Sequence, residues 1–146
     1  MHELKKLDNP KTFIDVGCGA GELACSLAEE GLTGTGYDFS EKAIAVCNSI
    51  KQQRNLSDGQ VKFVHSTKGL ETMTDTADII LSMEVLEHIK DDSAAFAELV
   101  RLSNRYVIIS VPAKQKLCSH REAMVKMIRL IRLRSRVFLL WVYHFV

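Results

Sequence analysis

Hydrophobic positions along the chain follow two rhythms. Short apolar or β-branched runs recur as "TFIDVG", "GTGYD", "VKFVHS", "ADIILS" and "RYVIISV", and these read as five strands. Between them the apolar spacing is helical. Glu22 to Glu30 reads as a helix ended by Gly31. Ser40 caps a second, running to about Gln53, with Ala43, Ile44, Cys47 and Ile50 at helical spacing. Asp91 or Asp92 caps a third, with Phe96, Leu99 and Val100 on one face, and Pro112 stops the fifth strand. Strands alternating with helices predict an α/β fold built on a parallel sheet with helices on both faces. The chain reads as one domain over residues 1–146, with no repeat, linker or low-complexity tract. Beyond Arg121, the residues Met124, Met127, Ile128 and Ile131 fit a helix to about Arg134. The last ten residues suit either helix or strand.

Composition narrows the partners rather than the fold. A net charge of +1 gives no global field to recruit nucleic acid or an anionic membrane. The charge is uneven, however, with basic residues dominating from Lys114 onward. Four cysteines, Cys18, Cys25, Cys47 and Cys118, form no CxxC pair and no metal-type spacing. A reduced cytoplasmic protein is the expectation. The first residues, "MHELKKLDNPK", have no signal-peptide pattern. The apolar run "VFLLWVYHFV" is shorter than the roughly 20 residues of a spanning helix.

The densest chemistry lies in "FIDVGCGAGELA", where Gly17, Gly19 and Gly21 stand at alternate positions behind the first strand. Glycines between a strand and a helix let the chain turn sharply and bring a ligand against backbone N–H groups. In the dinucleotide fingerprint GxGxxG the third glycine gives close helix–strand packing beside a pyrophosphate. Here Glu22 holds that position, and it is expected to crowd the helix and repel phosphates. Asp38 ends the second strand, where a carboxylate accepts hydrogen bonds from ribose hydroxyls. A nucleoside with little negative charge fits this pair. S-adenosylmethionine qualifies, with its sulfonium cation and no phosphate, and the dipole of the first helix favours its carboxylate.

At these residues the sequence resembles the class I S-adenosylmethionine-dependent methyltransferases, in particular the ubiquinone-pathway O-methyltransferase-like type, from Phe13 to about Pro112. "IDVGCGAGELA" resembles their first motif, "GTGYDFSEKAIAVC" the second-strand region, "ADIILSMEVLEHIKD" the fourth-strand region and "YVIISVP" the fifth strand. The resemblance implies a Rossmann-like fold in which Asp15, Gly17, Cys18, Gly19 and Gly21 line the cofactor. It further implies that Asp38 holds the ribose, that Phe39 lies against adenine, and that Ser82 and Met83 border the site. After the third strand "HSTKG" stands where the family often has an aspartate for the adenine amino group, so Thr67, Ser66 or a backbone group would serve. Before the fifth strand "LSNRY" replaces the usual turn with a shorter connection using Asn104. Relatives usually end in an antiparallel two-strand edge, which this chain is too short to complete. It is expected to be a truncated core domain, with its tail or a second chain covering the exposed edge.

For the chemistry itself the candidates are Glu84, Glu87 and His88 in "MEVLEH". One reading makes "ExxEH" a divalent metal site for Mg²⁺ or Mn²⁺, with Glu84 and Glu87 on one side of a helical turn and His120 contributing from beyond the fifth strand. The favoured reading makes His88 a lone catalytic base or positioning residue and Glu87 a turn anchor. In "KMIRLIRLRSRVFLLWVYHFV", Lys126, Arg129, Arg132, Arg134 and Arg136 interleave with apolar residues. Such a stretch suits a peripheral membrane contact or RNA phosphates, but half-burial of an ordinary amphipathic helix is the favoured reading. The expected function is methyl transfer from S-adenosylmethionine to a small-molecule acceptor, at oxygen. The alternatives are a metal-using RNA 2′-O-methyltransferase and a non-catalytic, partner-dependent cofactor-binding subunit.

Overall fold

The computed structural model describes residues 7–112 and the backbone of residues 138–144. Strand β1 (Thr12–Val16) enters a glycine loop that leads into helix α1 (Glu22–Glu29). Strand β2 (Thr33–Asp38), helix α2 (Glu41–Gln53) and strand β3 (Val61–His65) follow. Then come β4 (Ala77–Met83), a single 3₁₀ turn at Leu86–His88, α3 (Asp92–Leu102), β5 (Ser103–Pro112) and β6 (Phe138–His144). The sheet order is β3-β2-β1-β4-β5-β6, and every neighbouring pair is parallel.

The apolar strands of the sequence are central because both their faces must be covered. Phe13, Ile79, Leu81, Tyr106 and Ile108 pack toward α1 and α2 together with Leu27, Ala28, Ile44 and Cys47. Their sequence neighbours Ile14, Ile80, Val107 and Ile109 face the other way, against Phe96, Leu99 and Leu102 of α3. This period of two splits one apolar run between two cores. β2 has few large side chains, since Gly34 and Gly36 make way for the rings of Phe13 and Phe63. A Cβ at Gly34 would lie 2.6 Å from the Phe13 ring, and one at Gly36 2.8 Å from the Phe63 ring.

The caps are local and specific. Ser40 Oγ accepts from the Ala43 N–H at 3.3 Å to start α2, and Asp91 Oδ1 accepts from the Ala94 N–H at 3.0 Å to start α3. Of the two residues expected to cap α3, Asp91 does so. At the C-terminus of α2, Arg54 reaches back to Glu22, Glu29 and Ser26, joining the two helices.

Two expectations change. No connecting loop stands between α3 and β5. Leu102 is the last helical residue and Ser103 the first of the strand, so Asn104 lies within β5, and the β4–β5 register shifts between Ala77 and Ile79. At the other edge, the tail left open between helix and strand is strand β6. It pairs with β5 from Tyr106↔Phe138 to Pro112↔His144 and covers that edge in parallel, so no antiparallel pair occurs among the described strands. The helix expected to run to about Arg134 lies outside the described residues.

The strand order also locates the crevice. From β1 the chain steps outward through β2 and β3, then returns to the other side of β1 for β4. The loops leaving the carboxyl ends of β1 and β4 therefore diverge, and the gap between them is the natural ligand site of an open α/β sheet.

Candidate functional site

The loop out of β1 is held from behind. The Gly17 and Cys18 N–H groups both donate to the Tyr37 carbonyl, at 2.8 and 3.0 Å. Gly17, Gly19 and Gly21 all have positive φ, of 71°, 54° and 77°. Their reasons for being glycine differ. A Cβ on Gly17 would come within 2.4 Å of a Val85 methyl, and one on Gly21 within 2.7 Å of the Phe63 ring and 2.9 Å of Cys47 Sγ. Among the described residues, a Cβ on Gly19 would meet nothing within 4 Å. Two of the glycines thus serve internal packing, and the middle one faces open space at the crevice. α1 begins directly after Gly21 with no side chain capping its N-terminus.

Asp38 is buried at the end of β2, and the loop holds its carboxylate. Oδ2 accepts from the Gly19 N–H at 2.9 Å and Oδ1 from the Ser40 N–H at 2.8 Å. Each oxygen keeps a further lone pair. Phe39, next in the chain, is 79% exposed, although large apolar side chains normally bury. Its backbone is fixed, with His65 Nε2 2.9 Å from the Phe39 carbonyl oxygen and the Ser66 N–H donating to the Asp38 carbonyl at 2.9 Å. Thr67 follows in an exposed loop beside them.

Asp15 lies one residue before the end of β1 and is 2% exposed. Burial, and secondly the charge of Asp38, push its carboxyl from 3.8 up to about 7. No hydrogen bond to its side chain occurs among the described residues. Glu22 stands differently from the expectation. It pairs with Arg54 across α1 and α2, so its charge is balanced on the protein surface. Among the described residues, Asp38 remains a carboxylate unpaired by a basic side chain at this end of the sheet, with the raised carboxyl of Asp15 beside it.

Across the crevice, Met83 is half-buried at the end of β4. Ser82 is fully buried, shares a row with Val16 and Ile109, and has no hydrogen-bond partner for its hydroxyl among the described residues. That row packs on α3, so the Ser82 side chain faces away from Asp15. The next residue, Glu84, is in the left-handed region with φ of 56°. Its N–H donates to the Ser110 carbonyl at 3.0 Å, and its Oε1 accepts from Ser110 Oγ at 2.7 Å. Glu87 and His88 lie in the 3₁₀ turn beyond, with His88 Nε2 4.0 Å from Glu87 Oε1 and the imidazole largely exposed. The shared turn of Glu84, Glu87 and His88 that the metal reading requires does not form, because the left-handed Glu84 turns back to β5. Among the described residues no three His, Cys, Asp or Glu side chains gather as a metal site. His120 lies outside the described residues. Ser110 was not singled out from sequence. The signal was there, as one hydroxyl inside the apolar run "YVIISV" at the crevice end of its strand.

A parallel sheet with a glycine loop after its first strand, and a buried carboxylate closing its second, defines the Rossmann-like class of nucleoside-binding α/β proteins. Within it, the chain belongs to the class I methyltransferases: residues 7–136 match the family described as methyltransferase domain. It is 30% identical over 104 residues to the mitochondrial ubiquinone biosynthesis O-methyltransferase of Schizosaccharomyces pombe, covering 69% of this chain and 38% of that one. It is 38% identical over 84 residues to the ubiquinone biosynthesis O-methyltransferase of Coxiella burnetii, covering 56% and 34%. Among solved structures it is similar to magnesium protoporphyrin IX methyltransferase from Synechocystis PCC 6803 with bound SAM. That likeness has 27% identity and a TM-score of 0.67, and covers 78% of this chain and 57% of the other. The chain therefore spans well under two thirds of the length of each of these relatives.

Proposed function

We propose that the chain binds S-adenosylmethionine and transfers its methyl group to an oxygen of a small-molecule acceptor. The observation that carries this reading is the Asp38–Phe39 pair: a buried carboxylate locked to the glycine loop, followed at once by an exposed aromatic ring. The carboxylate's spare lone pairs suit the two ribose hydroxyls, and the ring suits an adenine face. In this reading Thr67, exposed in the loop after β3, serves the adenine edge.

The donor set fits a cation and not a phosphate. Asp38 brings a carboxylate to the crevice, and Asp15 adds a second charge only as pH rises past about 7, so a dinucleotide pyrophosphate meets negative charge there, while a sulfonium and an α-ammonium gain from it. The open side of Gly19 leaves room for the ligand against the backbone. When bound, S-adenosylmethionine supplies an already activated methyl group, so the protein's task is to position and desolvate. Met83 walls the crevice on the β4 side. His88 is the base of this reading and would take up the acceptor's hydroxyl proton. The named relatives support oxygen as the acceptor atom, since two of them are O-methyltransferases by name. The free thiols Cys18, Cys25 and Cys47 support a reducing, cytoplasmic setting. Among the described residues no helix is long and apolar enough to cross a membrane.

Calorimetry tests the reading. The protein should bind S-adenosylmethionine and S-adenosylhomocysteine and show no heat with NAD. Asp38→Ala should weaken binding by about 1–3 kcal/mol, the scale for hydrogen bonds to a charged group. Unchanged affinity in that variant would remove Asp38 from the ribose role.

A further inference from the structure

Two of the free cysteines meet at the glycine loop. Cys18 sits within the loop and is half-buried, whereas Cys47 is fully buried on α2. Their sulfurs are 3.9 Å apart. The Cys47 thiol donates to the Gly19 carbonyl at 3.1 Å, and the other side of Gly19 donates its N–H to Asp38. Cys47, Gly19 and Asp38 thus form one chain of contacts from α2 to the proposed ribose carboxylate. Cys47 also lies where a Cβ on Gly21 would come within 2.9 Å of its sulfur. The approach of the two sulfurs and the Cys47–Gly19 hydrogen bond play no part in the methyl transfer proposed above.

We propose that Cys18 and Cys47 are a redox modification site, and that their oxidation to a disulfide draws the glycine loop onto α2 and weakens nucleoside binding. The sulfurs would close from 3.9 Å to the roughly 2.05 Å of a disulfide. The Cys47 S–H that holds the Gly19 carbonyl is consumed in that bond, so Gly19 loses one anchor while Cys18 is pulled. The Gly19 N–H then moves relative to Asp38. The step balances with a peroxide as the two-electron oxidant. The more accessible Cys18, as thiolate, attacks one peroxide oxygen and becomes a sulfenic acid, releasing hydroxide. Cys47 then attacks that sulfur and expels water. In sum two thiols and one hydrogen peroxide give one disulfide and two waters.

Burial sets the tempo. It pushes both thiols above their ordinary range, and for Cys18 the nearby Cys47 thiol raises it further. Little thiolate stands ready, so oxidation is slow. For the same reason the reduced pair gains nothing from thiolate stabilisation, which favours the disulfide once it forms. The site is therefore a slow and persistent modification rather than a rapid sensor.

The experiment uses the whole chain, incubated with hydrogen peroxide at a pH of about 8.5, where an ordinary thiol is half ionised. After alkylation of the remaining thiols, peptide mapping should find a Cys18–Cys47 cross-link, with Cys25 and Cys118 alkylated. Calorimetry with S-adenosylhomocysteine should show affinity lowered at least about tenfold in the oxidised protein and restored by dithiothreitol. Cys47→Ser should form no Cys18 cross-link under the same treatment, its oxidised Cys18 ending instead as a sulfenic acid that dimedone labels. Should that variant not fold, mapping of the unaltered protein decides alone. Cys18 and Cys47 both recovered alkylated, or joined to other thiols, overturns the site. A cross-linked protein of unchanged affinity overturns the coupling to the crevice. The effect on binding rests on the function proposed above, but the cross-link does not. A reduced protein that binds no S-adenosylhomocysteine yet forms the cross-link would sink the cofactor reading and leave the site standing.

Discussion

Gly17 and Gly19 look alike in sequence and both have positive φ, yet they answer to different neighbours. Alanine at Gly17 collides with Val85, so Gly17→Ala should lower stability by about 2 kcal/mol or more in urea unfolding, from overpacking added to left-handed strain. Alanine at Gly19 meets no atom of the described residues within 4 Å. Gly19→Ala should cost only the left-handed strain, on the order of 1 kcal/mol, and instead reduce S-adenosylmethionine binding. Equal losses of stability in the two variants would contradict the division between packing and crevice. Asp15 supports a second residue-scale prediction. Its carboxyl titrates near 7 in the folded chain against 3.8 ordinarily, so between those values the folded state holds more protons than the unfolded state. Its contribution to stability therefore falls as pH rises from about 4 to about 7 and is flat above. Asp15→Asn should gain on the unaltered protein in urea midpoint between pH 5 and pH 8, measured without cofactor, while binding a cationic nucleoside less well. Parallel pH curves for the two proteins would remove the buried proton from the account. Asp38 was legible in the sequence because its position after a glycine-interrupted strand is itself informative. The Asp38–Gly19 hydrogen bond was not, nor was the meeting of Cys18 with Cys47, because contacts across 19 and 29 positions depend on how α2 lies over the loop.

At the scale of elements, periodicity and caps recovered the five strands and three helices to within a residue or two, since each signal is local. Ser40 and Asp91 both cap as their types and positions foretell. Asp91→Ala should destabilise the fold by about 1 kcal/mol in urea unfolding and leave cofactor affinity unchanged, because α3 packs on the face of the sheet away from Asp15. A change in affinity would show that α3 shapes the crevice after all. The spacing of "MEVLEH" misled because it was laid on a regular helical turn. Left-handed φ at a non-glycine residue is not written in a sequence, and at Glu84 it turns the carboxylate to Ser110 and away from Glu87 and His88. The loop expected before β5 was absent for a similar reason. Sequence shows where a helix pattern ends and a strand pattern begins, but not that no residue lies between them.

For the whole molecule, six parallel strands gather the ends of β1, β2, β4 and β5 along one rim, so residues from Asp15 to Ser110 converge there. β6 contributes by covering the outer edge of β5 from Tyr106 to Pro112. A chain ended after residue 112 bares that edge, and unpaired edges template association. Light scattering should show it aggregating at concentrations where the full chain stays dispersed, and equal dispersity would mean that β6 shields nothing. The direct passage from Leu102 to Ser103 has a consequence of its own. With no slack at the junction, the length of α3 gauges where β5 comes to rest, and strand faces invert with each single step. One residue added there and passed on into the strand would swing Tyr106, Ile108 and Ser110 to the α3 side, trading a polar hydroxyl into an apolar core and taking Glu84's partner with it.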